Sequence, residues 1–328
     1  MGKARAYIPA LQFGHKIYPE DIAGLLGLPV VGSIFYVDPS GGSDTANSGS
    51  EADNALKTVA AAYAKMTSGK NDTVVIAPTG GTGRTAETSL ITWGKRFAHI
   101  IGASAPTAQD TRAGMNFAGA SGTATASLTI SENGCLFKNL TLTGTDDVNV
   151  PVTITGDYNS FLGVDFKGML NATTGDDTAA RSLLLSGAQE NYFGGCTFGH
   201  DTTMKSAANG TLEFASASSR NVFEDCKFVM AADATSPYHV LFSGTNSVDR
   251  WVEFEDTVFY AFYTNHADQP THVFDLGTQT ATADVILSGN SMHVGFDDWE
   301  ATASGILWVR PSSATTTAIG QAVHPTVG

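Results

Sequence analysis

NVFEDCKFVM, Asn221–Met230, sets a glutamate, an aspartate and a cysteine side by side between two phenylalanines. Read alone, Glu224, Asp225 and Cys226 have the residue types of an active site. Beside its neighbours the stretch becomes one member of a series. CLFKNLTL (Cys135–Leu142), NSFLGVDF (Asn159–Phe166) and NYFGGCTF (Asn191–Phe198) precede it, and VEFEDTVF (Val252–Phe259) and VILSGNSM (Val285–Met292) follow. One template fits all six: an apolar residue, two turn-like residues, a small inward residue, a spacer, then a large apolar residue. The first column reads Phe137, Phe161, Phe193, Phe223, Phe254 and Leu287, with steps of 24, 32, 30, 31 and 33 residues. The last reads Leu142, Phe166, Phe198, Phe228, Phe259 and Met292.

A second apolar strand precedes each copy: SLTI (Ser127–Ile130), PVTI (Pro151–Ile154), SLLL (Ser182–Leu185), TLEF (Thr211–Phe214), HVLF (His239–Phe242) and HVFDL (His272–Leu276). GILWV (Gly305–Val309) closes this second series. Each period of roughly 30 residues therefore holds two short strands and their turns. No helical pattern lies between them, which excludes βαβ units. Such coils bury their faces only by stacking. The expected fold is all-β, a single-stranded right-handed parallel β-helix of seven or eight coils. At strand spacing its body is about 35–40 Å long.

The template also assigns roles. Its third column, Asn139, Gly163, Gly195, Asp225, Asp256 and Gly289, holds residue types that tolerate positive φ. Asp225 is thus expected for its backbone rather than for chemistry. The next column, Leu140, Val164, Cys196, Cys226, Thr257 and Asn290, reads as a small inward ladder. Cys196 and Cys226 are expected as buried free thiols, since side chains in parallel register point the same way. Glu224 should stack on Glu255, and Asp225 on Asp256. Like charges at strand spacing repel by about 3–4 kcal/mol at an effective dielectric of 20. Solvent exposure or a bound cation would relieve this, and no metal or other cofactor is expected.

Bulk properties narrow the partners. The net charge is −14, and the 18 Lys and Arg are scattered, which argues against nucleic acid and against anionic membrane. No run of 18 apolar residues exists to span a bilayer. No signal-peptide pattern is expected, since Lys3, Arg5 and Lys16 are followed by Glu20 and Asp21, and the apolar stretch Ile22–Tyr36 is broken by glycines. The three cysteines form neither a disulfide framework nor a CxxC zinc site. Charged residues are only 15%, so hydroxyls and small side chains cover the surface, as suits a β protein.

Glycoside hydrolysis needs two carboxyl groups about 5–9.5 Å apart. Three doublets offer them: Asp146-Asp147, Asp176-Asp177 and Asp297-Asp298, all in stretches that read as loops. No catalytic set is expected. Were the chain carbohydrate-active, Asp297 and Asp298 would be the carboxylates, with Trp299 as the ring on which a sugar stacks. TGGTGRT (Thr79–Thr85) lacks the Gly-Lys-Ser/Thr ending of a phosphate loop. The eight histidines show no ligand spacing.

Tyr36–Met66 is the most specific stretch: a strand, a Gly/Ser/Asp/Asn loop, then a helix expected over Ala52–Met66, laid across the open coil end. With its Tyr-Val-Asp, Gly-x-Asp, Asn-x-Gly and Lys-Thr-Val-x-x-Ala, it resembles the N-terminal opening of the pectate-lyase-like right-handed β-helix superfamily. Ala55 stands where that opening often has proline. TVVIAP (Thr73–Pro78) and FAHIIGAS (Phe97–Ser104) are similar to that superfamily's first coils. The resemblance covers residues 34–310 and implies fold rather than activity. The Gly-His-Gly and Arg-x-Lys of polygalacturonases are missing, as is a pectate-lyase calcium carboxylate set beside a basic residue.

Met1–Ser33 precedes the cap and so lies outside the solenoid. It carries net +1 and is rich in interface residues: Tyr7, Ile8, Leu11, Phe13, Ile17, Tyr18, Ile22, Leu25 and Leu26. It is expected to be a docking arm. Pro311–Gly328 is expected to be a tail or cap. An arm, a capped β-helix and an acidic Ser/Thr-rich exterior together resemble β-helical virion proteins of tailed bacteriophages. That resemblance implies a homotrimeric capsid decoration or cement protein, bound to the major capsid protein or other virion proteins. Its alternatives are a tailspike-like hydrolase or lyase, or a non-catalytic adhesin for cell-surface glycans.

Overall fold

Every strand pairing among the described residues is parallel. The computed structural model describes residues 32–79, 84–118, 128–145, 148–279, 283–300 and 306–309. The arm residues Tyr7, Ile8, Leu11, Phe13, Ile17, Tyr18, Ile22, Leu25 and Leu26 lie outside them, as do Asp146, Asp147, most of the Thr79–Thr85 loop and the tail.

The large sheet climbs from Ile34–Val37 through Thr73–Ile76, His99–Gly102, Leu136–Thr145, Ser160–Lys167, Tyr192–Gly194, Val222–Glu224, Trp251–Glu255 and Asp284–Ser288 to Leu307–Val309. A flanking row of the same sheet runs through Thr197–Lys205, Lys227–Ala232, Val258–Tyr263 and Met292–Val294. The second sheet stacks Ile91–Trp93, Leu128–Ile130, Val152–Ile154, Leu183–Ser186, Gly210–Ala215, Tyr238–Phe242, His272–Asp275 and Asp298–Glu300. This is the right-handed parallel β-helix read from the repeats.

The columns are in register. Phe137, Phe161, Phe193, Phe223, Phe254 and Leu287 are successive partners. Their rings stack at 5.1, 4.8, 4.5 and 4.8 Å from Phe137 up to Phe254. Phe166, Phe198, Phe228 and Phe259 form a second ladder at 5.1, 4.5 and 4.8 Å. Strand spacing equals the comfortable distance for stacked rings, so each coil aligns the next. All of these rings are buried.

The turn column also behaves as read: Asn139, Gly163, Gly195, Asp225, Asp256 and Gly289 have φ between 49° and 63°. Cys196 and Cys226 are buried and free. Each thiol donates to the carbonyl one coil below, Cys196 to Phe161 and Cys226 to Phe193, at 3.3 Å. Thr257 Oγ1 repeats the contact with Phe223 O at 3.2 Å, and Ser291 Oγ with Phe254 O at 3.0 Å.

Four expectations need correction. The helix expected over Ala52–Met66 is a 3₁₀ turn, Ala52–Asn54, and a helix, Val59–Lys65. Between them Ala55 and Leu56 are extended, because Leu56 pairs with Val37 and exchanges backbone bonds with Tyr36 and Asp38. Thr58 then caps the helix, accepting from Ala61 N. Second, Met292 does not continue the last column. One extra residue at Gly289-Asn290 pairs Met292 with Val258 and His293 with Phe259, and Ser291, not Asn290, takes the place of Thr257. Third, Leu307–Val309 pairs with Val285–Leu287, so GILWV closes the large sheet. Fourth, the second sheet ends instead on Asp298–Glu300, so this part of the Asp-Asp-Trp stretch is a strand rather than a loop.

Candidate functional site

Alternation along each strand decides what the rod shows its surroundings. On the large sheet Tyr192, Val222, Glu253, Ile286 and Trp308 form one outward column in register. Beside it run Gly194, Glu224, Glu255 and Ser288. Glu224 does stack on Glu255. The repulsion is met by partial exposure and by donors: Tyr192 Oη–H bonds Glu224 Oε2 at 2.7 Å, and Ser288 Oγ–H bonds Glu253 Oε1 at 2.7 Å. The hydrogen bond to Glu224 pushes the Tyr192 phenol up to about 12. Partial desolvation, then the Glu253 and Glu224 charges, raise the Glu255 carboxyl above its ordinary value. The result is three carboxylates on one face, one of them bonded to Tyr192, while Trp308 lies two coils above Glu253 in the same column and donates its indole N–H to Asp284 Oδ1 at 2.7 Å. Among the described residues no group of three or more His, Cys, Asp or Glu is placed to hold a metal ion.

Lower on the sheet the outward face is covered. Thr141, Asp165 and Thr197 lie in one column, and the loop at 104–113 lies over them. Asp165 Oδ2 accepts from Thr111 N at 3.1 Å and from Thr141 Oγ1 at 3.0 Å, and Thr197 Oγ1 donates to Ala108 O at 2.9 Å. Asp110 pairs with Lys167 at 2.8 Å and Arg84 at 3.0 Å. Burial raises the Asp165 carboxyl. Burial also acts upward on Asp110, but Lys167 and Arg84 outweigh it and hold that carboxyl below its usual range. Two carboxylates and two cations meet here, and their bonds are used to anchor a loop.

Asp297 is exposed, and Asp298 is half-buried and accepts from Trp299 N at 2.7 Å. The half-buried Trp299 ring packs edge-on against Phe259 at 5.9 Å and His293 at 4.5 Å. Asp176 bonds Ser206, and Asp177 accepts from Asn149 Nδ2 at 2.7 Å.

Two buried clusters escaped the sequence reading. Asn159, Asn191 and Asn221 form a ladder: Asn191 Oδ1 accepts from Asn159 N at 2.9 Å and Asn221 Oδ1 from Asn191 N at 3.0 Å. Their signal was the leading Asn of three of the six repeats. The other is Lys205, fully buried with no hydrogen-bond partner for Nζ. Burial pulls its ammonium down to about 7. Burial, then the nearby Lys205 charge, lowers His200 to about 4 and pushes His239 well below its ordinary value.

By fold and surface the chain is a right-handed parallel β-helix whose core is filled by stacked rings and whose outer face varies from coil to coil. Solved structures to which it is similar include pectin methylesterases. Pectin methylesterase PemA from Erwinia chrysanthemi aligns at TM-score 0.52 and 16% identity, over 81% of this chain and 80% of that one. A point mutant of a pectin methylesterase in complex with a hexasaccharide aligns at 0.51 and 16%, with the same coverage. ORF18 of Geobacillus virus E2 aligns at 0.37 and 13%, over 88% of this chain and 62% of that one, too low a score to bear on fold or role. No protein-family model and no curated protein matches the sequence. No helix among the described residues is long and apolar enough to cross a membrane.

Proposed function

We propose that this chain is a structural virion protein of a tailed bacteriophage, a capsid decoration or cement protein. Its arm, Met1–Ser33, docks on the major capsid protein, and its β-helix projects outward. The supporting observation is the sealed first coil. The helix Val59–Lys65 closes the end of the core, with Val59 and Ala62 buried and Tyr63 stacked on Trp93 at 4.4 Å. Ser33 enters beside it, its N–H held by Asp72 at 2.7 Å. On this reading the aromatic and aliphatic side chains of Met1–Ser33 serve a partner. Electron cryomicroscopy of particles carrying a tagged chain tests the reading. Density on the shell is expected, and density confined to the tail would overturn it.

A second reading rests on Glu224, Glu253 and Glu255 beside Tyr192, with Trp308 two coils above Glu253 in the same column, carboxylates and rings of the kind that hold a sugar. On it the chain is a glycan-cleaving tailspike or a glycan-binding adhesin, with Asp297, Asp298 and Trp299 as its other sugar-facing group. Cleavage lost in Asp297→Asn or Glu255→Gln, or binding without cleavage lost in Trp299→Ala, would favour it.

A further inference from the structure

The outward face of the flanking row changes character as the rod rises. Thr141, Asp165, Thr197, Lys227, Val258 and Met292 form one outward column in register. Its three lowest members are polar, and the chain's own loop at 104–113 covers them. Its two highest are apolar. Beside them Tyr260 pairs with Val294 in the next outward column, and Phe262 lies further along the same strand. Tyr260 is 37% exposed, Phe262 41%, Met292 49% and Val294 46%. Phe259 and Ala261 of that strand are buried in the core. Val258–Tyr263 is thus apolar on both faces, the pattern of a strand covered on both. Its inner face has its cover and its outer face stands open.

We propose that the chain's own last residues, 310–328, cover this face, as the loop at 104–113 covers the face below it. They lie outside the described residues, and two observations point to them. The first is where the described chain ends. Leu307–Val309 stacks in parallel register on Val285–Leu287, one coil up. On that lower coil five residues lead from Leu287 to Met292. A chain leaving Val309 in the same direction therefore arrives beside Met292, whose strand is paired on one side only among the described residues. Residues 310–328 span up to about 60 Å when extended, ample to cross the patch. The second observation is their pattern. Ile319, Val323 and Val327 recur at every fourth position. In an extended segment all three share one side, with the small Ala318, Gly320 and Ala322 on the other. Ile319 to Val323 and Val258 to Phe262 are equal spans, about 13 Å in strand geometry. The segment holds Arg310 and no acidic residue in a chain of net −14, so it meets the rod without carboxylate repulsion. A cap would close the end of the last coil, whereas this placement seals the side of the rod. The inference holds whether the rod stands on a capsid or binds a glycan.

Hydroxyl-radical labelling of the whole chain, read residue by residue by mass spectrometry, tests it. Each rate is taken relative to the same residue in the denatured chain. Leu90, 58% exposed in the turn before Ile91–Trp93, is the open reference. In the wild type Tyr260, Phe262 and Met292 are expected to label several-fold less than Leu90, and dilution should not change this. In Ile319→Lys/Val323→Lys their labelling is expected to rise several-fold, with Leu90 and the circular dichroism unchanged, because both positions lie beyond the last described strand. The milder Ile319→Ser/Val323→Ser should act in the same sense. Free labelling of the patch in the wild type overturns the inference. Protection that survives in both double variants overturns it too, as does protection lost on dilution, which would assign the cover to a second molecule.

Discussion

Phe193 and Phe223 lie face to face across one coil step, ring centroids 4.5 Å apart and planes within 2°. They sit in the middle of a ladder that runs from Phe137 to Phe254, and each ring has neighbours above and below. A ring removed here leaves a cavity that two coils line. Phe223→Ala is expected to cost about 3–5 kcal/mol. The denaturant midpoint should fall with the slope unchanged. A loss under about 1 kcal/mol would mean that the coils close over the gap and that the ladder is not what aligns them.

Asp225 occupies its turn at φ 54°. Glycine reaches that conformation freely, while a β-branched residue is strained in it. Asp225→Gly should be neutral or slightly stabilising, since it also removes a charge beside Glu255 and Asp256. Asp225→Val should cost about 1–2 kcal/mol. Thermal melts of the two variants decide the matter, and equal melting temperatures would make Asp225 a candidate for chemistry again.

Lys205 makes the fold sensitive to pH. Its folded pKa, about 7, lies below its ordinary 10.5, so the unfolded chain holds a proton that the fold gives up. Stability from this group therefore rises with pH between about 7 and 10.5, and its full penalty is present below 7. His200, at about 4 against 6.5, acts in the same sense lower down: stability is lost as pH falls from about 6.5 to 4. Lys205→Met should raise stability at pH 7 by on the order of 3–4 kcal/mol. The gain should shrink as the pH approaches 10.5. A gain that is constant with pH would assign the effect to packing instead.

The thiols should be inert. Cys135, Cys196 and Cys226 are buried, and burial pushes the Cys135 thiol up to about 11 and Cys226 well above its ordinary range. A thiol reagent should meet none of the three in the folded chain and all of them in denaturant. Because Thr257 makes the same contact one coil higher, Cys226→Thr should fold with a loss under about 1.5 kcal/mol. Rapid labelling of Cys226 in the native protein would contradict its place in the ladder.

The repeat made the coils legible because register is a property of columns. Six aligned residues of positive-φ type at the Asp225 position, and stacked phenylalanines on either side, say the same thing six times. Single insertions defeat that reading. The extra residue at Gly289-Asn290 shifts Met292 by one place, and nothing in VILSGNSM alone marks it. The cap was legible as a cap, but the extended Ala55-Leu56 break depends on pairing with Val37, a contact distant in sequence. GILWV reads as part of the second series and DDWE as a loop because both are short runs without a clear period, and only stacking order tells which sheet each joins. The burial of Lys205 is invisible in MKSA, since it depends on the small Ala232 in register above it. Of the outer surface, Glu224 over Glu255 followed from the template, whereas Tyr192 and Trp308 joined them only through the ladder. The arm residues Tyr7 to Leu26 rest on composition alone.

The docking role of that arm is tested most directly by co-sedimentation. The full chain and a chain beginning at Ser33 are each mixed with the purified major shell protein of the same particle and pelleted. The full chain is expected in the pellet, with the shortened chain folded and left in the supernatant. Equal behaviour of the two, whether both pellet or neither does, would contradict a capsid tether in Met1–Ser33.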